Sequence, residues 1–417
     1  MQNDLTRSFA NCYYYGKNVN NIGDHIQLLT VDYLYKQIGV PKNEITRISM
    51  SDLMTYDGEP VCLPISFNLI ASNEHGISGM FSNRITPVFL GITILKDSLY
   101  SEEVEYLKMH EPIGCRDERT WKTMSKYGIS AYIGGCLTVT LPKREYDSKK
   151  HTTTFIIDPP KKVKPFIPEK IKKRAIYDTH FYYGNVSDPS QIATERYEKY
   201  RDEANLIITS LLHCAVPCLA YGIPVIIVRD KLSYRFGWLE ALQKIYTTPE
   251  YSEINWNPDY TEFEAHKGLV KRLFSKRIND EDASKEISKL HNFYMTRKRS
   301  NYSVDVLSDI QEFIDRTWID HEKAYEYAVW GLTHISEMTI DYISKRYVNA
   351  KLSHVYDIRP GLILNGIESI SPENIAGYPE EIVFVTSVSA TSMAKDVFQR
   401  IKKPEGYYFY QEFQDTF

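Results

Sequence analysis

The sequence predicts an α/β protein built on parallel sheets, on three observations. The first is the stretch NLIITSLLHCAVPCLAYGIPVIIVRD, from Asn205 to Asp230. Its 23 residues between Leu206 and Val228 carry no acidic or basic side chain other than His213. A run of that length can span a bilayer, but Pro217, Gly222 and Pro224 interrupt it, and proline inside a helix costs about 3 kcal/mol. It therefore reads as a buried strand (LIITS), a short helix (HCAVPCLAYG) and a second buried strand (IPVIIV), a compact βαβ unit. The second observation is that short apolar strands alternate with amphipathic helices as far as about residue 142, as in a doubly wound sheet. The third is that the last hundred residues repeat this pattern on a smaller scale. With 417 residues, 43% hydrophobic and 25% charged, the chain can supply two to three ordinary cores.

Taken in order, an apolar-aromatic strand is followed by the loop GKNVNNIGD and the amphipathic helix HIQLLTVDYLYKQIG. Buried strands are expected at PVCLPI, LIAS and PVFLGITI. Helices are expected at EEVEYLKMH and ERTWKTMSKYG, with strand-like EPIGCRD between them and ISAYIGG after. Residues 1–142 thus form an N-terminal Rossmann-like domain, and the charged, aperiodic stretch 143–153 reads as a linker. A second domain, 152–317, runs from TTTFIID through the basic segment KKVKPFIPEKIKKR to the strand AIYDTH. The helix DPSQIATERYEKYRDEA follows, with Asp188 as its cap, then the βαβ unit. Residues 263–317 read as mainly helical, with a polar interruption near Asn301. Residues 322–417 predict a third, small Rossmann-like domain, in which LSHVYD is a strand ending at Asp357. That acid stands where a ribose-binding acid would, yet the preceding turn, WGLTHIS, has one glycine rather than the three of a dinucleotide fingerprint. A nucleotide-free structural or partner-binding domain is therefore expected.

A formal net charge of −4 gives no support for a nucleic-acid partner. The six cysteines form no C-x-x-C pair, and no pattern of metal-ligand spacing is present, so neither a disulfide framework nor a metal site is expected. The N-terminus has no basic region followed by an apolar core, and a cytoplasmic protein without a transmembrane segment is the expectation. Seven cations lie between Lys161 and Arg174; they form either a solvated face or a rim that attracts an anion. The 32 tyrosines, including the run Tyr13-Tyr14-Tyr15, suit sugar stacking or reflect composition alone.

Three stretches resemble the polysaccharide pyruvyl transferase family. NNIGDHIQ (Asn20–Gln27) is similar to its N-x-G-D-x-x-Q element. PIGCRDERTWKTMSKYGISAYIGGCLTVTLP (Pro112–Pro142) shares its R-D step and G-C-L-T ending. LIITSLLHCAVPCLAYGIPVIIV resembles its T-S-R-L-H-C-A-x-P-C-L-A-x-G-x-P-V element. The resemblance covers roughly residues 8–260. It implies two Rossmann-like domains in a GT-B-like arrangement, facing across a cleft. It also implies transfer of pyruvate from phosphoenolpyruvate, a donor substrate with no further cofactor, to the hydroxyls of a sugar. The acceptor would be a glycan or a lipid-linked sugar, and the latter would allow peripheral association with a membrane. The oligomeric state is not written in the chain.

Such chemistry needs a general acid, a general base and an anion clamp. His213, Arg116 and Asp24 are the candidate catalytic residues. Ser210, His213, Arg116, Gly23 and Asn21 are the candidates for contacting the anionic donor, with His180 and Asp117 ranked below. His213 contacts an anion at a helix start or is packed at a domain edge. Arg116 holds a carboxylate or phosphate in bidentate fashion, or it pairs with Asp117. Asp24 takes the acceptor's proton or caps the helix at His25. Gly23 permits close backbone approach. His180 ends a strand on the same side and is an acid candidate. One departure stands out: Leu211 occupies the position of the resembled motif's arginine, so a donor of this kind requires another cation, from Arg229, Arg235 or the 161–174 run. Two other functions fit the same chain. One is a GT-B-type glycosyltransferase using a sugar nucleotide; the other is a non-catalytic scaffold of a glycan-assembly complex.

Overall fold

In the computed structural model the first ninety residues build a four-stranded parallel sheet. Its strands are β1 (Phe9–Tyr13), β2 (Ile45–Ser49), β3 (Val61–Ile65) and β5 (Ile85–Phe89), in the order β2-β1-β3-β5. The short strands β4 (Asn68–Leu69) and β6 (Thr93–Ile94) pair separately. Helix α1 (Ile22–Gln37) follows β1. Beyond it lie α2 (Ser101–Met109), β7 (Ile113–Cys115), α3 (Glu118–Lys126) and β8 (Ala131–Ile133). The structure describes residues 8–14, 21–69, 80–94, 99–182, 188–297, 314–315, 317–378, 382–386, 390–403 and 407–409. Asn20, the end of LIAS and the expected break near Asn301 lie outside them.

A second parallel sheet is made of β9 (Thr153–Ile157), β10 (Ile176–Asp178), β11 (Ala204–Thr209), β12 (Val225–Val228) and β13 (Ile245–Tyr246), in the order β10-β9-β11-β12-β13. The apolar run divides as its prolines and glycine dictate, into β11, helix α6 (Leu212–Ala220) and β12. Among the described residues no helix is long and apolar enough to cross a membrane. The short helix α4 (Glu169–Lys172) precedes β10, and between β10 and β11 runs α5 (Pro189–Glu203), capped by Asp188, whose carboxylate accepts from the Ser190 and Gln191 N–H groups. In the expected linker, the Arg144 side chain donates to the Arg201 carbonyl at 2.8 Å.

Helices α7 (Glu264–Ile278) and α8 (Ser284–Thr296) cross back to the first sheet's side of the unit. Phe274 packs edge-on against Tyr35 of α1 at 5.7 Å. Arg277 donates to the Pro112 carbonyl, and His291 accepts from the Ile133 N–H. One continuous core accordingly joins α1, β9, α6 and α7 through Tyr35, Phe155, Val216 and Phe274.

The described residues divide into two compact units, one drawn from the chain up to Tyr302 and the other from Ser303 onward. The second is a six-stranded sheet in which β14 (Glu326–Trp330), β15 (Lys351–Tyr356), β17 (Ile367–Ile370), β18 (Ile382–Val385) and β19 (Tyr407–Phe409) run parallel. The edge strand β16 (Ile363–Leu364) pairs antiparallel with β17. Asp357 follows β15, as expected, but its carboxylate accepts from the Leu332 N–H and pairs with Arg359 at 2.9 Å. It braces the β14 turn internally.

Candidate functional site

In both large sheets of the first unit the strand order reverses at the first strand. In the first, β2 lies on one side of β1 and β3 on the other; in the second, β10 and β11 flank β9. Ligands of open α/β sheets bind at the carboxyl ends of strands at such switch points. The residues that follow β1, β3, β9 and β11 meet there. Ile22 N–H donates to the His180 carbonyl at 3.0 Å, and Asn21 forms an isolated antiparallel bridge with Phe181.

Arg116 follows β7 and is 0% exposed. Its guanidinium donates to the Gln27 side chain at 2.7 Å, the Ser66 carbonyl at 2.8 Å and the Asn68 side chain at 3.4 Å, while Nε has no partner. All three acceptors are neutral. No carboxylate of the described residues pairs with it, and Asp117 is engaged elsewhere. That carboxylate caps α3, accepting from the Thr120 N–H at 2.9 Å and the Thr93 hydroxyl at 2.9 Å. The Arg116–Asp117 pair considered from sequence is therefore absent. Burying an ion costs several kcal/mol unless a counter-charge repays it, and the hydrogen bonds of this guanidinium go to neutral groups only.

His213 stands in the first turn of α6. Its Cβ lies on Gly23, where a side-chain Cβ would come within 3.0 Å of it and of Asn21 Oδ1. Any larger residue at 23 would force His213 or Asn21 to give way. Pro217 has no N–H to offer the His213 carbonyl, and the Tyr197 hydroxyl donates to it instead. The proline that breaks the apolar run thereby leaves a carbonyl that anchors the histidine. Nε2 lies 3.9 Å from the Cys136 thiol of the G-C-L-T stretch. Burial, then the charges of Arg116 and Arg235, then His180, hold the imidazole well below its ordinary value. The site thus favours the uncharged form of the ring.

Asp24 is not the cap of α1. Asn21 takes that role, its side chain accepting from the Gly23 N–H at 2.8 Å. The Asp24 carboxyl is partly exposed and hydrogen-bonds to no described residue. Burial raises its pKa to about 6, against the pull of Arg235 and then Arg116. Tyr14 and Tyr182 lie beside it; burial and then the Asp24 charge raise both phenols. The cluster thus combines a cation bonded to neutral groups alone, an imidazole that favours its uncharged form, a carboxyl whose pKa is raised to about 6, and two aromatic faces.

Ser210 is at the same strand edge, but its hydroxyl donates to the Asp158 carbonyl and its own carbonyl accepts from Arg229 at 2.9 Å. Its proton is used within the fold. His180 is 1% exposed, stacked on Tyr200, with no hydrogen bond to either ring nitrogen. Its charge acts on the His213 imidazole. Gln27, Ser66 and Asn68 were not singled out from sequence. Gln27 carried a signal as the last residue of N-x-G-D-x-x-Q; the others carried none. Among the described residues no group of three His, Cys, Asp or Glu side chains is placed to hold a metal ion.

A family model described as polysaccharide pyruvyl transferase matches residues 21–231, half of the chain. No curated protein matches. An uncharacterized protein of Klebsiella pneumoniae is among the similar solved structures, at 15% identity over 60% of this chain and 91% of that one. Its TM-score of 0.34 is too low to bear on fold or function.

Proposed function

The chain belongs to the polysaccharide pyruvyl transferase family and is a transferase; from that premise we propose that it moves the pyruvyl group of phosphoenolpyruvate onto sugar hydroxyls, forming a ketal on a surface glycan. The observation that carries this reading is the Arg116 guanidinium, fully buried and hydrogen-bonded to neutral acceptors alone. Phosphoenolpyruvate brings a carboxylate and a phosphate, and a buried cation repays their desolvation.

In the reaction, protonation of the methylene carbon makes the central carbon electrophilic. A sugar hydroxyl attacks it and gives up its proton. Phosphate then leaves with the C–O electron pair, and a second hydroxyl closes the ketal. Two protons leave the sugar; one ends on the new methyl group and one on phosphate. Asp24, ionised above pH 6, takes the proton of the attacking hydroxyl. Neutral His213 donates a hydrogen bond to the donor's anionic group, and Arg116 holds the charge that develops. Tyr14 and Tyr182 stack on the sugar. In this account residues 1–142 and 152–317 form the two halves of a GT-B-like unit, and 322–417 is an additional Rossmann-like domain. The protein works in the cytoplasm on a glycan or lipid-linked acceptor.

A thermal-shift titration with phosphoenolpyruvate beside UDP- and GDP-sugars tests the donor. At about 100 times Kd the native state gains roughly 2.7 kcal/mol, a shift of about 5–10 °C. A saturable shift with phosphoenolpyruvate that His213→Ala removes is expected. A shift with sugar nucleotides alone overturns the donor and favours glycosyl transfer.

A further inference from the structure

Arg235 sits in the 3₁₀ turn Tyr234–Phe236, beyond β12 and four residues past the end of the family match. That turn is held from two directions. The Arg119 guanidinium, from α3, lies over the Tyr234 ring at 4.8 Å, and that of Arg229, at the end of β12, lies over the Phe236 ring at 4.4 Å. Arg229 is itself tied to the Ser210 carbonyl at 2.9 Å. A turn clamped on both flanking aromatics presents its middle side chain in a fixed direction. The Arg235 Nε is buried without a hydrogen-bond partner, and no carboxylate of the described residues pairs with Arg235. The Arg119 and Arg229 contacts seat the turn between the start of α3, beside Arg116, and the Ser210 carbonyl at the end of β11, beside His213, and the Arg235 charge accordingly acts on Asp24, Arg116 and His213. Two guanidiniums, each with an unpartnered Nε, therefore act on the one Asp24 carboxyl, and neither forms a hydrogen bond or ion pair with it. Beside them, the α6 N-cap position is held by the apolar Leu211.

Resting on the donor reading above, we infer that Arg235 is a substrate-contacting residue that pairs with Arg116 in a two-guanidinium clamp. Each cation takes one anionic end of a small ligand that carries two such ends. Arg235 thereby supplies the cation that Leu211 does not, and it makes the site selective for a ligand with both carboxylate and phosphate over one with either alone. Like charges held together and unpaired are unfavourable in the free protein, and a doubly anionic ligand relieves both at once.

The experiment is calorimetric titration of the full-length protein with phosphoenolpyruvate, pyruvate, inorganic phosphate and a UDP-sugar. It compares wild type, Arg235→Gln, Arg235→Lys and the double variant Leu211→Arg/Arg235→Gln. Loss of one charge-assisted hydrogen bond is expected to weaken phosphoenolpyruvate binding about tenfold to a hundredfold in Arg235→Gln. The preference over pyruvate and phosphate should shrink by the same factor. Arg235→Lys should recover part of the affinity, and Leu211→Arg in the glutamine background should restore most of it, a rescue that a merely structural residue would not allow. If wild type binds phosphoenolpyruvate and Arg235→Gln binds it equally well, the clamp is overturned and the donor reading stands. If wild type binds a sugar nucleotide instead, and does so through Arg235, the donor reading falls and the clamp stands. If wild type binds none of these anions, both fall.

Discussion

Replacing Asp24 with asparagine removes a charge that the folded protein holds at a cost. The carboxyl has an ordinary value of 3.8 and a folded value of about 6, with burial the main cause and Arg235 and Arg116 only partly opposing it. A folded value above the unfolded one means that folding favours the protonated form. The stability linked to Asp24 is full below pH 3.8 and is lost as the pH rises through 6. At about 1.4 kcal/mol per pH unit, the two-unit shift amounts to roughly 3 kcal/mol above pH 7, about half that at pH 5 and little near pH 4. Asparagine has nearly the same shape and never ionises. Asp24→Asn should therefore be more stable than wild type by up to about 3 kcal/mol at pH 7.5, with the gain shrinking toward pH 5. Urea denaturation of both proteins across that range measures this directly. The same variant should lose about a hundredfold or more in turnover, as expected for removal of a general base. Equal stability at pH 7.5, or a gain that does not shrink at lower pH, would refute the view that this carboxyl is held ionised against its environment.

Three further outcomes follow from the same geometry. Gly23→Ala places a Cβ 3.0 Å from the His213 Cβ and Asn21 Oδ1; steady-state kinetics should show activity down about tenfold to a hundredfold from the displaced histidine, with thermal denaturation showing a stability loss of no more than about 2 kcal/mol. Arg116→Gln keeps an amide donor beside Gln27 and Ser66, so folding should change by less than about 2 kcal/mol, while calorimetry should show donor affinity falling about tenfold to a hundredfold. Tyr197→Phe leaves the His213 carbonyl without the hydroxyl that satisfies it, and chemical denaturation should report a loss of about 1–3 kcal/mol.

Much of the scaffold was legible because its signals are local. Pro217, Gly222 and Pro224 divide the apolar run where the structure divides it, and Asp188 caps α5 as its position before Pro189 suggests. Strand β2 was missed, since Thr46 and the exposed Arg47 interrupt the apolar character of Ile45–Ser49. The return of α7 and α8 onto the first sheet's side was also hidden, because amphipathic periodicity says that a face is buried but not against what. The site residues were legible as types and not as partners. Arg116 and Gln27 lie 89 positions apart, and nothing local joins them. Asn21 and Asp24 both have cap chemistry; the extended backbone at Asn21 makes it the cap and frees Asp24. Arg235 was one of several cations considered in place of Leu211, and only the folded turn distinguishes it from Arg229, which is spent on Ser210 and Phe236.

The most direct test of the central claim is to follow the transferred carbon. Wild-type protein is incubated with phosphoenolpyruvate labelled at its central carbon and with a sugar carrying free neighbouring hydroxyls, and is monitored by carbon NMR and phosphate release. The account predicts a quaternary ketal carbon bonded to two sugar oxygens, formed in step with inorganic phosphate and absent with Arg116→Gln. Phosphoenolpyruvate left intact over a panel of such acceptors, while a sugar nucleotide is consumed, would contradict it.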